Sequence, residues 1–254
     1  MQTVILCGGK GTRMREETEY RPKPMVEVGG RPILWHIMKL YHHYGHANFI
    51  LALGYKGDMI RTYVSGNRFS LDDTPDRMAA FYTNGIKDTM DDVVITCADT
   101  GEESLTGERL RRVRPHLTQD EFMLTYGDGV GDIDINALIA FHRAQKTVAT
   151  ITGSHPYSKW GLVKRDKHTG LVTSFEEKPR LSDYVNSGFM VLRKGVFDYL
   201  DDGPIEETLI RLASYNQLSL YEHNGFWKAM DTVHEMKEMN DIWENNRPWA
   251  VWQK

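Results

Sequence analysis

The sequence predicts an α/β fold, a mixed but mainly parallel central sheet flanked by helices, with a small strand-rich lobe built over one edge. Two patterns carry that expectation. Up to residue 146, short apolar runs alternate with segments of helical periodicity, as in a parallel sheet covered by helices; from Thr147 onward strands follow one another closely. The 254 residues contain no linker, repeat or low-complexity tract, and they suffice for one substantial core, or a core with a smaller lobe.

The first strand is read at residues 4–7. Residues 33–44 carry Ile33, Ile37, Leu40 and Tyr44 at helical spacing, and 48–53 is the second strand. A helix at 58–64 follows Gly54, then a strand at 93–97, a basic helix at 108–116 and a strand at 122–126 that ends in Gly127-Asp128-Gly129. Residues 135–146 form a further helix. In the second half, strands are expected at 148–152, 161–165, 172–176, 187–192 and 218–221, with helices at 206–215 and 233–245. Residues 66–92, polar and mixed, are the candidate for a mobile or partner-contacting segment.

Composition excludes several functions. With 31 Lys and Arg against 35 Asp and Glu, a net charge of -4 offers no general attraction for nucleic acid, so any phosphate has to be held locally. No apolar run nears the ~18 residues of a membrane span, and the N-terminus reads as a strand and not as a leader, which points to a cytoplasmic protein without a membrane partner. Cys7 and Cys97 lie in apolar strand-like runs without metal-ligand spacing and read as reduced core residues.

The chemistry concentrates at strand ends. Leu6-Cys7-Gly8-Gly9-Lys10-Gly11-Thr12-Arg13 is a glycine-rich turn whose backbone N–H groups suit an anion, with Arg13 and Lys23 adding charge. It lacks the spacing of the Walker A loop, and Met14 stands where the dinucleotide fingerprint needs a third glycine. A tight turn without ligand is the alternative. In open α/β sheets ligands bind beyond the carboxyl ends of the strands, so this loop and Asp128 can share one cleft. Asp128 and Asp231 are hard oxygen ligands suited to Mg²⁺ beside nucleotide phosphates, turn capping being the alternative for each alone.

Glu176-Glu177-Lys178-Pro179 offers a second cation in Lys178, or only a solvated turn, and Asn186-Ser187-Gly188 offers hydrogen bonds suited to hydroxyls. Lys56, Arg109, Arg111, Arg112 and Arg114 read mostly as solvated helix-face charges. His42, His43 and His46 are too irregularly spaced for zinc and read as surface or interface residues. Trp249 and Trp252 suit either a subunit contact or packing on their own domain.

The motifs LCGGKGTR, RPKPMVEVGGRPILWHIMK, GYKG, DTG with TGERLRRV, TYGDGV, FEEKP, NSGF and GFWKAMDT together resemble the sugar nucleotidyltransferases, most closely the glucose-1-phosphate cytidylyltransferases. The resemblance runs nearly end to end. It implies a Rossmann-like sheet of the nucleotide-diphospho-sugar transferase type in a single domain, with 1–146 the nucleotide-binding half and 147–254 the sugar-binding half and C-terminal helix. The implied reaction moves a cytidylyl group from CTP to a sugar 1-phosphate, releasing pyrophosphate. By resemblance, Leu6, Gly8, Gly9, Gly11, Thr12 and Arg13 hold the nucleotide, Lys23 contacts its phosphates, and Thr106 and Gly107 lie against the base. Asp128 and Asp231 bind Mg²⁺, with Mn²⁺ as the alternative ion, while Gly161, Glu177, Lys178 and Asn186 hold the sugar phosphate. Arg13, Lys23 and Lys178 carry the catalytic charge, and the chain is expected to form a homo-oligomer.

Residues 66–92 follow the family poorly, Trp160 replaces a Phe before Gly161, and Thr208 replaces a Pro. Departures near the sugar side keep an alternative open, a metal-dependent isomerase or mutase acting on a finished nucleotide sugar. A non-catalytic sensor of nucleotide sugars would have little need for both Asp128 and Asp231.

Overall fold

A computed structural model describes residues 1–65, 80–82, 90 and 93–253. The chain begins with β1 (Gln2–Leu6), the short α1 (Arg15–Thr18), a ribbon of β2 (Glu27–Val28) and β3 (Arg31–Pro32), and α2 (Ile33–His43). Next come β4 (Asn48–Leu53), α3 (Gly57–Ser65), β5 (Ala80–Tyr82), β6 (Val94–Asp99) and α4 (Thr106–Val113). Then follow β7 (Glu121–Tyr126), β8 (Gly129–Gly131), α5 (Ile135–Gln145) and β9 (Ala149–Ser154). The remainder is β10 (Leu162–Arg165), β11 (Val172–Glu176), β12 (Val185–Arg193), α6 (Ile205–Ser214), β13 (Leu218–His223), β14 (Trp227–Ala229) and α7 (Val233–Asn245).

Among the described residues the main sheet orders its eight strands β13-β9-β12-β7-β1-β4-β6-β5. The pairs β7–β1, β1–β4, β4–β6 and β13–β9 are parallel, while β12 runs antiparallel to both neighbours and β5 antiparallel to β6. Each expected strand and helix of the two halves is present within a few residues of its expected bounds. Successive residues of β1 explain why that strand is apolar throughout. Val4 and Leu6 pack with Leu110, Val113, Leu209 and Leu212 of α4 and α6 on one face, whereas Ile5 and Cys7 pack into the larger cluster with α2, α3, α5 and α7 on the other. Both cysteines are buried and free, and burial holds both thiols above their ordinary pKa, Cys97 at about 11.

The differences from expectation have local causes. The helix expected at 108–116 is α4 followed by a 3₁₀ turn at Arg114–His116, because Pro115 has no N–H to continue the α ladder. The ribbons β2–β3 and β8–β14 were not foreseen, their two or three residues being too few to show a period. The antiparallel pair β10–β11 stands apart from the main sheet with Val163 and Phe175 exposed, the lobe expected at the edge. The expectation for residues 66–92 falls outside the described residues, apart from the backbone of β5 and the buried Met90.

The tryptophan-rich tail packs on its own domain. Trp249 is buried, and its Nε1 donates to His36 Nδ1 at 3.3 Å, with Trp35, Trp243 and Trp252 around the same imidazole. His36 Nε2 bonds the Val28 carbonyl, so the ring carries its proton on Nε2 and is neutral; burial pulls its pKa down to about 4. This cluster anchors α7, whose N-terminus holds Asp231 in place.

Candidate functional site

Chain order places β4 and β6 on one side of β1 and β7 on the other, so the strand order reverses between β1 and β7. That is where an open α/β sheet leaves a crevice. A cleft of about 400 Å³ opens there, in the size range of small-ligand sites. Leu6, Gly8, Gly9, Gly11, Thr12, Arg13, Lys23, Thr106, Asp128 and Asp231 all line it, although up to 225 positions separate them in sequence.

The two acids meet because of the short ribbon after β7. Its register pairs Gly129 with Ala229, and Met230 N donates to the Asp128 carbonyl at 2.9 Å, which brings Asp231 beside Asp128. Asp231 is fixed a second time by the start of α7. Thr232 and Glu235 form a reciprocal capping box, and Glu235 Oε2 also accepts the Asp231 N–H at 2.8 Å.

Both carboxylates converge on one cation. Lys23 Nζ lies 2.7 Å from Asp128 Oδ2 and 2.6 Å from Asp231 Oδ1, and the exposed Arg13 grips both oxygens of Asp231 at 3.0 and 3.1 Å. Burial alone would lower the Lys23 pKa, but Asp128 and Asp231 outweigh it and hold the ammonium above the usual lysine value. Two carboxylates aimed at one positive charge are a donor set that Mg²⁺ accepts when phosphate and water complete its shell. No group of three or more His, Cys, Asp or Glu side chains gathers to hold a metal among the described residues, and His42, His43 and His46 form no such site.

The glycine loop is held from behind. Gly11 adopts φ 60° at the start of a 3₁₀ turn, a left-handed conformation that suits glycine, and the buried Thr18 hydroxyl bonds the Gly11 and Met14 carbonyls at 3.0 Å each. Gly9, Thr12 and Arg13 are left exposed toward the cleft. Thr106 opens α4, its Oγ1 accepting the Ile205 N–H at 2.8 Å. Gly107 lies behind the lining instead, its N–H bonded to the Gly203 carbonyl at 2.9 Å, where an added Cβ would come within 2.5 Å of that oxygen.

The expected sugar-side residues are not part of this lining. Glu177 and Lys178 lie exposed after β11, Lys178 with a left-handed φ of 47°, and a Cβ on Gly161 would meet Phe175 and Glu177. Asn186 accepts the Gly188 N–H at 3.0 Å and adjoins Tyr126, which does reach the cleft. The Tyr126 hydroxyl donates to Glu206 Oε1 at 2.6 Å; burial first, then that carboxylate, push the phenol above its ordinary pKa. Tyr126 and Glu206 are lining residues that sequence reasoning missed. So is Arg109, read as solvated but only 3% exposed. Its place at helical spacing between Thr106 and Val113, beside Leu110, was the available signal. Arg111 and Arg112 do carry surface ion pairs, with Asp202 and Glu108.

The family model described as nucleotidyl transferase matches residues 2–242. Glucose-1-phosphate cytidylyltransferases of Salmonella typhimurium and Salmonella typhi are each 42% identical over 259 residues, covering all of both chains. The crystal structure of HddC from Yersinia pseudotuberculosis complexed with GMP-PN superposes with a TM-score of 0.68 at 22% identity, covering 95% of this chain and 99% of that one, and shares the fold.

Proposed function

This chain belongs to the nucleotidyl transferase family, and we propose that it transfers the cytidylyl group of CTP to glucose 1-phosphate, forming CDP-glucose and pyrophosphate. The observation that carries the assignment is the convergence of Asp128, Asp231, Lys23 and Arg13 at the mouth of the glycine loop, in a chain that aligns end to end with cytidylyltransferases.

The chemistry asks for alignment and charge, not for a side-chain base. The sugar phosphate oxygen is already a nucleophile; it attacks the α-phosphorus of CTP in line as the bond to pyrophosphate breaks. Backbone N–H groups of the Gly8 to Thr12 loop orient the triphosphate, and Arg13 and Lys23 offset the charge that builds on it. Asp128 and Asp231 would hold Mg²⁺ or Mn²⁺, which when bound supplies further neutralisation of the phosphates. Thr106 faces the base, and Gly107 supports it through the backbone of α4. Gly161, Glu177, Lys178 and Asn186 remain the assignment for the sugar phosphate, on the strength of the FEEKP and NSGF motifs.

The chain works in the cytoplasm as a homo-oligomer in this proposal. Two free, buried cysteines suit the first, and among the described residues no helix is long and apolar enough to cross a membrane. The exposed Trp160, Leu171 and Phe175 on and beside the lobe support the second. Pyrophosphate release from CTP, Mg²⁺ and a panel of sugar 1-phosphates tests the activity. Release with glucose 1-phosphate is expected; no release with any sugar, together with rearrangement of a ready-made nucleotide sugar, would replace transfer by isomerisation.

A further inference from the structure

Glu235 bonds two distant parts of the molecule at once. Its Oε2 accepts the Asp231 and Thr232 N–H groups at 2.8 and 3.0 Å, within the capping box of α7, while its Oε1 accepts from Lys159 Nζ at 2.6 Å. One carboxylate, its side chain only 13% exposed, therefore holds both the backbone of Asp231 and a lysine 76 positions away, in the turn that leads into β10.

That turn adjoins the residues assigned to the sugar phosphate. Ser158 is buried; its Oγ donates to the Trp160 carbonyl at 2.7 Å and accepts the Trp160 N–H at 3.1 Å, which fixes the backbone on both sides of Lys159. The Ser158 N–H bonds the Pro179 carbonyl at 2.8 Å, Tyr157 pairs with Arg180, and the Leu181 N–H bonds the Pro156 carbonyl at 2.9 Å. The turn is thus laced to the segment that directly follows Glu177 and Lys178, and Gly161 stands two residues beyond Lys159. Arg180 makes a second tie, its Nη2 donating to the Asn224 carbonyl at 3.1 Å, but it meets the turn before β14 and not α7. With Lys159 65% exposed, the ion pair adds little to stability; what it fixes is where the turn sits relative to Asp231.

We propose that Lys159 is a positioning residue for the sugar phosphate: through Glu235 it docks the turn beside Gly161, Glu177 and Lys178 against the start of α7, and so sets those residues at a fixed distance from Asp231 and the nucleotide phosphates. The proposal rests on the sugar-side assignment above and extends it to a residue that does not itself touch substrate. CTP binding is independent of the bridge, since Glu235 Oε2 keeps the Asp231 N–H whether or not Oε1 is paired.

A double-mutant cycle on the full chain tests this, with KM for glucose 1-phosphate read by pyrophosphate release, CTP affinity by calorimetry without sugar, and stability by thermal melts. Lys159→Met is expected to raise KM for glucose 1-phosphate about fivefold, the reach of a part-exposed ion pair, while CTP affinity stays within about twofold and the melting temperature falls by no more than ~4 °C. Glu235→Gln, whose amide oxygen still caps α7, is expected to match it, and the double variant to be no worse than the worse single one. Lys159→Arg restores the pair and should keep KM within about twofold of the wild type. An unchanged KM in Lys159→Met would overturn the proposal. So would a loss in Lys159→Met without one in Glu235→Gln, or losses that multiply, since either would put Lys159 on the substrate itself. If Glu235→Gln does not fold, the contrast between methionine and arginine at position 159 decides, and equal KM values in those two would overturn the proposal. Lys178→Met separates this inference from the reading beneath it: a raised KM there beside a wild-type KM in Lys159→Met would overturn the bridge alone, whereas a wild-type KM in Lys178→Met would remove the sugar-side assignment and the bridge with it.

Discussion

Replacing Lys23 by methionine keeps most of the stem and removes the ammonium that joins the two acids, which separates its structural role from its catalytic one. Breaking a fully buried ion pair from one side costs about 3–5 kcal/mol, and an exposed pair is worth about 0–1 kcal/mol. The Lys23 side chain is 12% exposed and its partners Asp128 and Asp231 are 28% and 25% exposed, so the cost lies between these limits. Arg13 stays on Asp231 and leaves Asp128 the more poorly compensated acid. About 2 kcal/mol is expected, a fall of ~4–8 °C in melting temperature for a chain of this size. In the wild type a divalent cation and the Lys23 ammonium compete for the same carboxylates; in Lys23→Met they do not. Mg²⁺ should therefore raise the melting temperature of the variant more than that of the wild type, while turnover falls ~10²-fold for want of one preorganised charge. Thermal melts with and without Mg²⁺, beside a pyrophosphate assay, read all three. A variant that melts and responds to Mg²⁺ as the wild type does would refute the shared site.

Two further outcomes follow from the support around Asp231. Thr232→Ala removes the capping hydroxyl of α7 and should cost about 1 kcal/mol, read as a fall of ~2–4 °C in the melting temperature; an unchanged melt would discount the capping box. His36 and His142 both have pKa values lowered by burial to about 4 from the ordinary 6.5. Between those values the unfolded chain takes up protons that the folded chain refuses, so stability is full above about pH 6.5 and is lost as pH falls toward 4, by up to ~1.4 kcal/mol per pH unit for each histidine. His36→Gln can still donate to Val28 and accept from Trp249, and it should flatten the acid side of a melting profile; an unaltered slope would show that His36 is not the titrating group.

The strand ends were the most legible part of the chain. Val4-Ile5-Leu6 running into Gly8-Gly9, and Phe122 through Tyr126 running into Gly127-Asp128-Gly129, mark where strands stop and backbone turns toward a ligand. Because parallel strands share one carboxyl edge, the sequence alone could put the glycine loop and Asp128 in one cleft. The contact between Asp128 and Asp231 was not legible by pattern, since the ribbon that creates it is three residues a side, with glycine at both ends of one strand. Arg109 was misread for a different reason: charge suggested solvent, while helical spacing placed it inward with Leu110 and Val113, and only the two glycines facing it show how a guanidinium fits there. Trp249 and Trp252 were ambiguous because a large aromatic serves an interface or a core equally well, and it is the buried His36 that gives them an internal partner.

The most direct measurement is a competition in one tube. Equal concentrations of CTP, UTP, dTTP, ATP and GTP are mixed with glucose 1-phosphate, Mg²⁺ and the full chain, and the products are identified by mass. CDP-glucose should dominate, with pyrophosphate formed in equal amount. Another nucleoside diphosphate glucose in its place, or no pyrophosphate at all, would contradict the account.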